Sequence, residues 1–90
     1  MIQKVKKIAM KLYLLSQKEN YGYDKYDSCV VCAESENDAK KITPSGEEFS
    51  PNSTYYNTWA HTWEGIKCEE IGEANSTQKR GVVLASFNAG

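Results

Sequence analysis

Residues 28–43, SCVVCAESENDAKKIT, decide the fold because their hydrophobic periodicity changes in the middle. The first part, residues 28–34, is a continuous apolar run that contains two adjacent valines. Such a run is typical of a strand that is covered on both faces, so it predicts an interior strand of a sheet. The second part has apolar residues at helical spacing, which predicts a short helix directly after the strand.

The predicted helix begins at Ser35, whose hydroxyl can accept a hydrogen bond from a backbone amide of the first turn. Ala39 and Ile42 lie three positions apart and form its buried stripe. Pro44 disfavours helical geometry at the preceding residue, Thr43. The helix is therefore predicted to be short and to end before the proline.

Three further segments are predicted to be strands. Residues 11–17 alternate in a way that suits one buried face and one partly covered face. Residues 66–71 alternate apolar and charged side chains, which indicates an edge strand, and Ile71 breaks this alternation as a bulge or a strand end would. Residues 82–87 are apolar on both faces and predict another interior strand.

The predicted order is strand, strand, helix, long loop, strand, strand, which is typical of an α+β domain. We expect two hairpins to form a four-stranded, mostly antiparallel sheet with the helix packed on one face. Residues 10–90 form this single domain, and residues 1–9 are a lysine-rich N-terminal extension. The loop at residues 44–58 is long for a small domain, and loops of that length are often functional.

Length, charge and cysteine content narrow the classes of function. A chain of 90 residues with a formal charge of −1 is one domain and is not a simple basic nucleic-acid binder. Its apolar runs are too short for a transmembrane helix, and Lys11 interrupts the N-terminal apolar stretch without a signal-peptide cleavage site after it. Three cysteines suit reduced thiols better than a disulfide framework. We predict a cytoplasmic protein with no direct nucleic-acid partner and no membrane partner.

The acidic residues are unevenly distributed. Residues 19–48 carry eight acidic side chains against three lysines, which is a net charge of −5. One half of the surface is therefore predicted to be acidic, and such a surface favours a basic partner. The alternative is that these charges only form a solvated face.

Cys29 and Cys32 form a C-x-x-C pair, a spacing found in zinc and redox sites. Such sites lie in turns or at helix starts, whereas this pair lies inside a predicted strand. Side chains three positions apart in a strand point to opposite faces, so the two sulfurs are not expected to converge. A zinc site would also need His61 and Cys68 from beyond the long loop. We expect buried, unreactive thiols, with no metal and no cofactor.

The sequence carries no signature of an enzyme. His61 is the only histidine, and no nucleophile motif of the G-x-S-x-G type accompanies it. The glutamate pairs at 47–48 and 69–70 point apart in an extended chain, so neither forms a carboxylate dyad. The glycines are isolated and form no phosphate-binding loop. The sequence therefore predicts a protein that is not an enzyme.

Aromatic residues concentrate in two predicted loop regions, a tyrosine-rich first loop at residues 20–27 and an aromatic second loop at residues 49–63. Tyrosine and tryptophan offer a large contact area at low entropic cost and are frequent at interfaces, and binding residues usually lie on loops held by a rigid scaffold. The candidate partner-binding residues are Tyr21, Tyr23, Asp24, Tyr26, Asp27, Tyr55, Tyr56, Trp59, His61 and Trp63. The alternative is that these rings cover the second face of the sheet, which one short helix leaves open.

Three pieces of sequence, Tyr26-Asp27-Ser28, residues 34–41 and residues 84–90, resemble a family of small uncharacterised phage and bacterial proteins. The resemblance covers residues 10–90 and excludes the N-terminal extension. No activity is associated with that family, so it implies no catalytic residue. It implies a context in which small domains without catalytic motifs often inhibit a host defence or regulatory protein.

These observations predict a small, non-enzymatic phage or bacterial binding protein. It would inhibit a host defence protein, for example as an anti-CRISPR, by contacting a basic surface of that protein. The alternative is a protein that sequesters a small molecule or nucleotide, with tryptophans stacking on a base and a nearby cation on phosphate. The candidate cations are Lys67, Lys79 and Arg80. Homodimerisation through an exposed strand edge stays open.

Overall fold

Two strands, β1 (Lys11–Gln17) and β2 (Lys25–Ala33), pair antiparallel at the centre of the sheet in the computed structural model of the chain. The other elements are the helix α1 (Glu36–Lys40), β3 (Ile66–Glu73) and β4 (Gly81–Asn88). The predicted α+β class, the four-stranded antiparallel sheet and the order strand, strand, helix, strand, strand are confirmed.

The strand order across the sheet is β3-β1-β2-β4, and every neighbouring pair is antiparallel. The structure describes residues 9–20, 22–49 and 58–88. β3 pairs with β1 and β4 pairs with β2, so the predicted hairpin of the last two strands is wrong. The prediction that β4 is an interior strand is also wrong. Apolar side chains on both faces indicate how a strand can be covered, but they do not identify its neighbours.

β3 contains the irregularity that its sequence predicted. Leu12 pairs with Gly72 and Tyr13 pairs with Glu70, so Ile71 is an extra residue without a partner across the strand pair. Its side chain is 49% exposed. Of the two predicted interpretations of Ile71, a bulge or a strand end, the structure shows the bulge, and the strand continues past it to Glu73.

The helix α1 begins where its capping residue predicted. Ser35 accepts a hydrogen bond from the Asp38 amide at 3.1 Å, and the Asp38 carboxylate accepts one from the Glu34 amide at 3.1 Å. Arg80 binds the same carboxylate through Nε at 3.0 Å and Nη2 at 2.8 Å, which lowers the pKa of Asp38. The ion pair ties the helix to the segment that leads into β4. The helix ends at Lys40, earlier than predicted.

The core lies on the face of the sheet that α1 covers. Leu15, Val31 and Ala33 are fully buried on this face, and full burial of a leucine or valine side chain is worth about 1.5–3 kcal/mol. Described residues between the helix and the start of β3 also pack on this face. The members of the core cluster from this part of the chain are Ile42, Phe49, Trp59, Ala60 and Ile66.

The two cysteines of the C-x-x-C pair lie on opposite faces of β2, as predicted. Cys29 pairs with Leu15 and belongs to the core, whereas Cys32 pairs with Leu12 and places its sulfur 3.9 Å from that of Met10. Burial raises the pKa of the Cys29 thiol to about 12 and also raises that of Cys32. Thiols with raised pKa values are poor nucleophiles and poor metal ligands at neutral pH.

Candidate interaction surface

A buried amide organises the loop between β1 and β2. Gln17 is 5% exposed. Its Nε2 donates to the carbonyls of Asn20 and Tyr26, and its Oε1 accepts from the Asn20 amide at 2.7 Å. One side chain therefore fixes both ends of the loop. Its hydrogen bonds replace those to water that the Gln17 amide loses when it is buried.

Further hydrogen bonds attach the loop to the rest of the fold. Asn20 Nδ2 donates to the Trp59 carbonyl at 2.9 Å, and the Tyr26 amide donates to the Thr58 carbonyl at 2.8 Å. At the other side, Asn88 Nδ2 at the end of β4 donates to the Gly22 carbonyl at 2.8 Å. The loop is thus held by both the second loop and β4.

The backbone reverses direction at two residues with positive φ. Gly22 has φ 115° and Asp24 has φ 59°, a conformation that glycine adopts freely and aspartate tolerates better than most residues. Tyr23 lies between them, and its side chain is 72% exposed, the largest value among the exposed large hydrophobic side chains. A fixed backbone therefore presents an open aromatic ring.

Tyr23, Asp24, Tyr26, Asp27 and Phe87 form a surface that we call the acidic aromatic end. The Tyr26 and Phe87 rings meet edge to face with centroids 4.9 Å apart, and Phe87 is 46% exposed. Both aspartates are exposed, and Asp27 is an extra residue between the pairs Tyr26–Phe87 and Ser28–Ser86. Four of these residues were candidates from sequence. Phe87 was missed because β4 was predicted to be interior.

The candidates from the second predicted loop are not found at the acidic aromatic end. Trp59 is 3% exposed and belongs to the core, so almost none of its side chain is accessible to a partner. Its indole nitrogen has no hydrogen-bond partner in the part of the chain that the structure describes. Trp59 covers the face that also carries α1, not the second face of the sheet. Tyr21, Tyr55 and Tyr56 lie outside the described residues.

His61 is half-buried, and its backbone amide, not its imidazole, makes the contact described here, a hydrogen bond to Glu19. Its amide donates to Glu19 Oε1 at 2.6 Å, and the same carboxylate accepts from the Thr62 amide at 2.8 Å and the Thr62 hydroxyl at 2.9 Å. These hydrogen bonds, those from Thr62 foremost, lower the pKa of Glu19. Glu19 fastens the turn at residues 61–65, a role that no sequence pattern indicated because its partners are 42 and 43 positions away.

Trp63 lies at a different surface from the acidic aromatic end. Its ring packs against Phe49 with centroids 4.4 Å apart and is half-buried. A shallow depression beside it is lined by Asn37, Lys40, Lys41 and Trp63. The cations near this ring are therefore on α1 and at its end. Arg80, a cation predicted for that role, is instead bound to Asp38.

The described residues contain no group of three or more His, Cys, Asp or Glu side chains arranged to hold a metal ion. Cys68 is half-buried, and burial raises its pKa to about 11. Within the same residues, no helix is long and apolar enough to cross a membrane. The acidic aromatic end therefore offers a partner contact area and negative charge.

Comparisons with protein-family models, with curated proteins and with solved structures gave no match to this chain. The family resemblance therefore stays a prediction.

Proposed function

We propose that this chain is a non-enzymatic binding protein whose acidic aromatic end contacts a basic surface of a partner protein. The observation that carries the proposal is Tyr23, which is 72% exposed on a backbone fixed by the contacts of Gln17 and Asn88. A ring held in this way loses little conformational freedom on binding, because its backbone is already ordered. Exposed tyrosines of this kind are frequent binding hot spots.

Charge favours a cationic partner. Asp24 and Asp27 flank the aromatic rings, and both are exposed. Lysine or arginine side chains of a partner can pair with these carboxylates and stack on the neighbouring rings. Negative charge at the rim also speeds association with a basic surface. In its concrete form the proposal is inhibition of a host defence protein in the host cytoplasm.

Replacing Tyr23 by alanine and Asp24 by asparagine should abolish most of the partner affinity. Loss of one hot-spot tyrosine costs about 2 kcal/mol or more, which is a fall of roughly thirtyfold or greater. Asparagine tolerates the positive φ of Asp24, so the turn should keep its shape. The free energy of unfolding should change by less than about 0.5 kcal/mol, as at other surface sites. Affinity capture from host lysate identifies the partner. Titration calorimetry with the purified partner then measures the affinity, and thermal unfolding of the free protein measures the stability.

Ile71→Ala is the matched control, because Ile71 is also an exposed hydrophobic residue but lies on the opposite edge strand. A partner that binds wild type and the Ile71 variant equally, and the Tyr23 variant weakly, supports the proposal. Equal binding of all three proteins would place the interface elsewhere, and a large loss of stability would show that the loop is part of the core.

A second candidate function is binding of a nucleotide or similar aromatic anion at the Trp63 depression. The observation in its favour is that Lys40 and Lys41 lie beside the half-buried Trp63 ring. Stacking of one base is worth about 1–3 kcal/mol, and two lysines could neutralise phosphate. Titration with ATP should then quench Trp63 emission, and Lys40→Gln with Lys41→Gln should weaken binding roughly tenfold, with Lys67→Gln as control. Unchanged emission up to millimolar ATP would exclude this function for nucleotides.

A further inference from the structure

One face of the sheet has no covering element among the described residues. The core and α1 lie on the other face, and α1 is the only helix in that part of the chain. We call the uncovered side the open face, and the alternate side chains of the strands point to it. Its apolar members are Leu12, Leu14, Val30, Cys32 and Leu84. An apolar patch of this kind usually marks a place where another segment or molecule packs.

The apolar part of the open face lies at the end of the sheet where β1 begins. The row of paired side chains nearest that end holds Leu12 and Cys32, and the second row holds Leu14, Val30 and Leu84. The following row holds three serines, Ser16, Ser28 and Ser86. The patch is therefore two rows deep, and it lies beside the point where the chain enters β1.

Glycines stand at both ends of the first row. Gly72 of β3 pairs with Leu12, and Gly81 of β4 pairs with Cys32. Apart from their chain neighbours, neither glycine has an atom within 4 Å of the position that a Cβ would take. A glycine in a strand often marks a site where another backbone approaches closely. The first row is thus open to a further segment of chain.

Met10, directly before β1, already contacts this patch. Its carbonyl accepts a hydrogen bond from the Ala74 amide at 3.1 Å, and its sulfur lies 3.9 Å from that of Cys32. Cys32 is fully buried, whereas Leu84 at the far end of the second row is 69% exposed. The patch is therefore covered where Met10 reaches it and open farther along.

The residues that precede this contact have an amphipathic sequence. Residues 1–8, MIQKVKKI, lie outside the described residues. Ile2, Val5 and Ile8 recur at every third position, and three lysines lie between them. At about 100° per residue, these apolar side chains fall within a stripe about 120° wide that contains no lysine. A helix this short is unstable in isolation and needs a surface for its apolar stripe.

We propose that residues 1–8 form a helix that packs across the open face, with the apolar stripe on the two apolar rows. Eight residues of helix are about 12 Å long, and β1, β2 and β4 together span about 10 Å, so the segment matches the patch in size. Its three lysines also complement the rest of the chain. Because the whole chain has a formal charge of −1, the remaining residues carry −4, and Glu69 gives the second row an acidic end.

Methyl nuclear Overhauser effects in the isotope-labelled full chain test this placement. The Val5 or Ile8 methyl groups should show effects to the methyl groups of Leu14 or Leu84. A sample that mixes labelled with unlabelled chains separates effects within one copy from effects between copies. Absence of these effects would overturn the proposal, and effects found only between copies would give the open face to a second copy instead.

Val5→Asp measures how much of the patch the segment covers. A charge in the apolar stripe should release the segment, so the emission of a dye that binds exposed apolar surface, anilinonaphthalene sulfonate, should rise about threefold or more. Gln3→Asp is the matched control, because it adds the same charge outside the stripe and should leave the emission near that of wild type.

Circular dichroism checks that each variant keeps its fold, since an unfolded protein also changes dye emission. If Val5→Asp unfolds the domain, Val5→Ser with Gln3→Ser gives the same comparison without a charge. Equal dye emission of the two folded variants would overturn the proposal. The inference does not depend on the proposed function, because no partner is present in either measurement.

Discussion

Val31→Asp is expected to unfold the domain. Val31 is fully buried in β2, pairs with Tyr13 on one side and with Val82 on the other, and belongs to the core under α1. A carboxylate at this position would lose its hydration without gaining a partner, which costs several kcal/mol. A small domain is stable by only about 5–15 kcal/mol, so we expect most of the population to be unfolded at room temperature.

Val83→Asp is the matched control for this experiment. It introduces the same charge in place of the same residue type, but at a side chain that is 42% exposed on β4. The control should unfold cooperatively, with a free energy of unfolding within about 0.5–1 kcal/mol of the wild-type value. Thermal and urea unfolding followed by far-UV circular dichroism and tryptophan emission measures both variants. If Val31→Asp keeps a cooperative transition near that of wild type, the placement of β2 in the core is incorrect.

Gly65→Ala should produce the second largest loss of stability. A Cβ at Gly65 would lie 2.5 Å from Glu19 Oε1 and 2.6 Å from its Cδ, which is closer than atoms can approach. The carboxylate must move away and release the amides of His61 and Thr62. We expect the free energy of unfolding to fall by about 1–2 kcal/mol. This is a small value for the loss of several hydrogen bonds, because Glu19 is exposed and water can replace them.

A double-mutant cycle separates this cause from a general effect of losing a glycine. In a Glu19→Ala background the clash and the hydrogen bonds are already absent, so Gly65→Ala should then cost little. Gly72→Ala is the control, because Gly72 lies in β3, the strand that follows Gly65, and has no atom within 4 Å of its Cβ; it should be nearly neutral in either background. Additive effects of Glu19→Ala and Gly65→Ala, measured by urea unfolding, would show that the two residues do not act together.

The pH dependence of stability provides an independent signature of Glu19. Its folded-state pKa is lower than the ordinary value of 4.5, because the Thr62 hydrogen bonds favour the charged form. A depressed carboxyl pKa contributes stability above the ordinary value and loses that contribution as the pH falls through the folded-state pKa. Between pH 7 and the acid transition, Glu19→Ala should therefore lose less stability than wild type. If the free energy of unfolding falls equally steeply with pH in wild type and Glu19→Ala below pH 4.5, Glu19 does not contribute to the pH dependence of stability.

Local features of the fold were predictable from sequence because they depend on neighbouring residues. The helix start at Ser35, the bulge at Ile71 and the opposite faces of Cys29 and Cys32 all follow from capping chemistry and strand alternation. The strand order was not predictable, because it depends on which distant strands meet. The error at β4 has this origin.

The candidate site shows the same division. Tyr23 and Asp24 were found because a tyrosine-rich stretch with Gly22 predicts an exposed turn. Phe87 joins them only because β4 pairs with the start of β2. Trp59 was misplaced because tryptophan suits a core as well as an interface, and composition alone does not distinguish the two.

The strand directions also determine where a tag or an immobilising group can be attached without obstructing the acidic aromatic end. β1 starts opposite Ala33, at one end of β2, whereas β4 finishes opposite Lys25 at the other end. These ends are eight residues apart, about 26 Å along an extended strand. A fusion that follows Asn88 would stand beside Gly22 and Tyr23, whereas one that precedes β1 would leave the rings open to a binding partner.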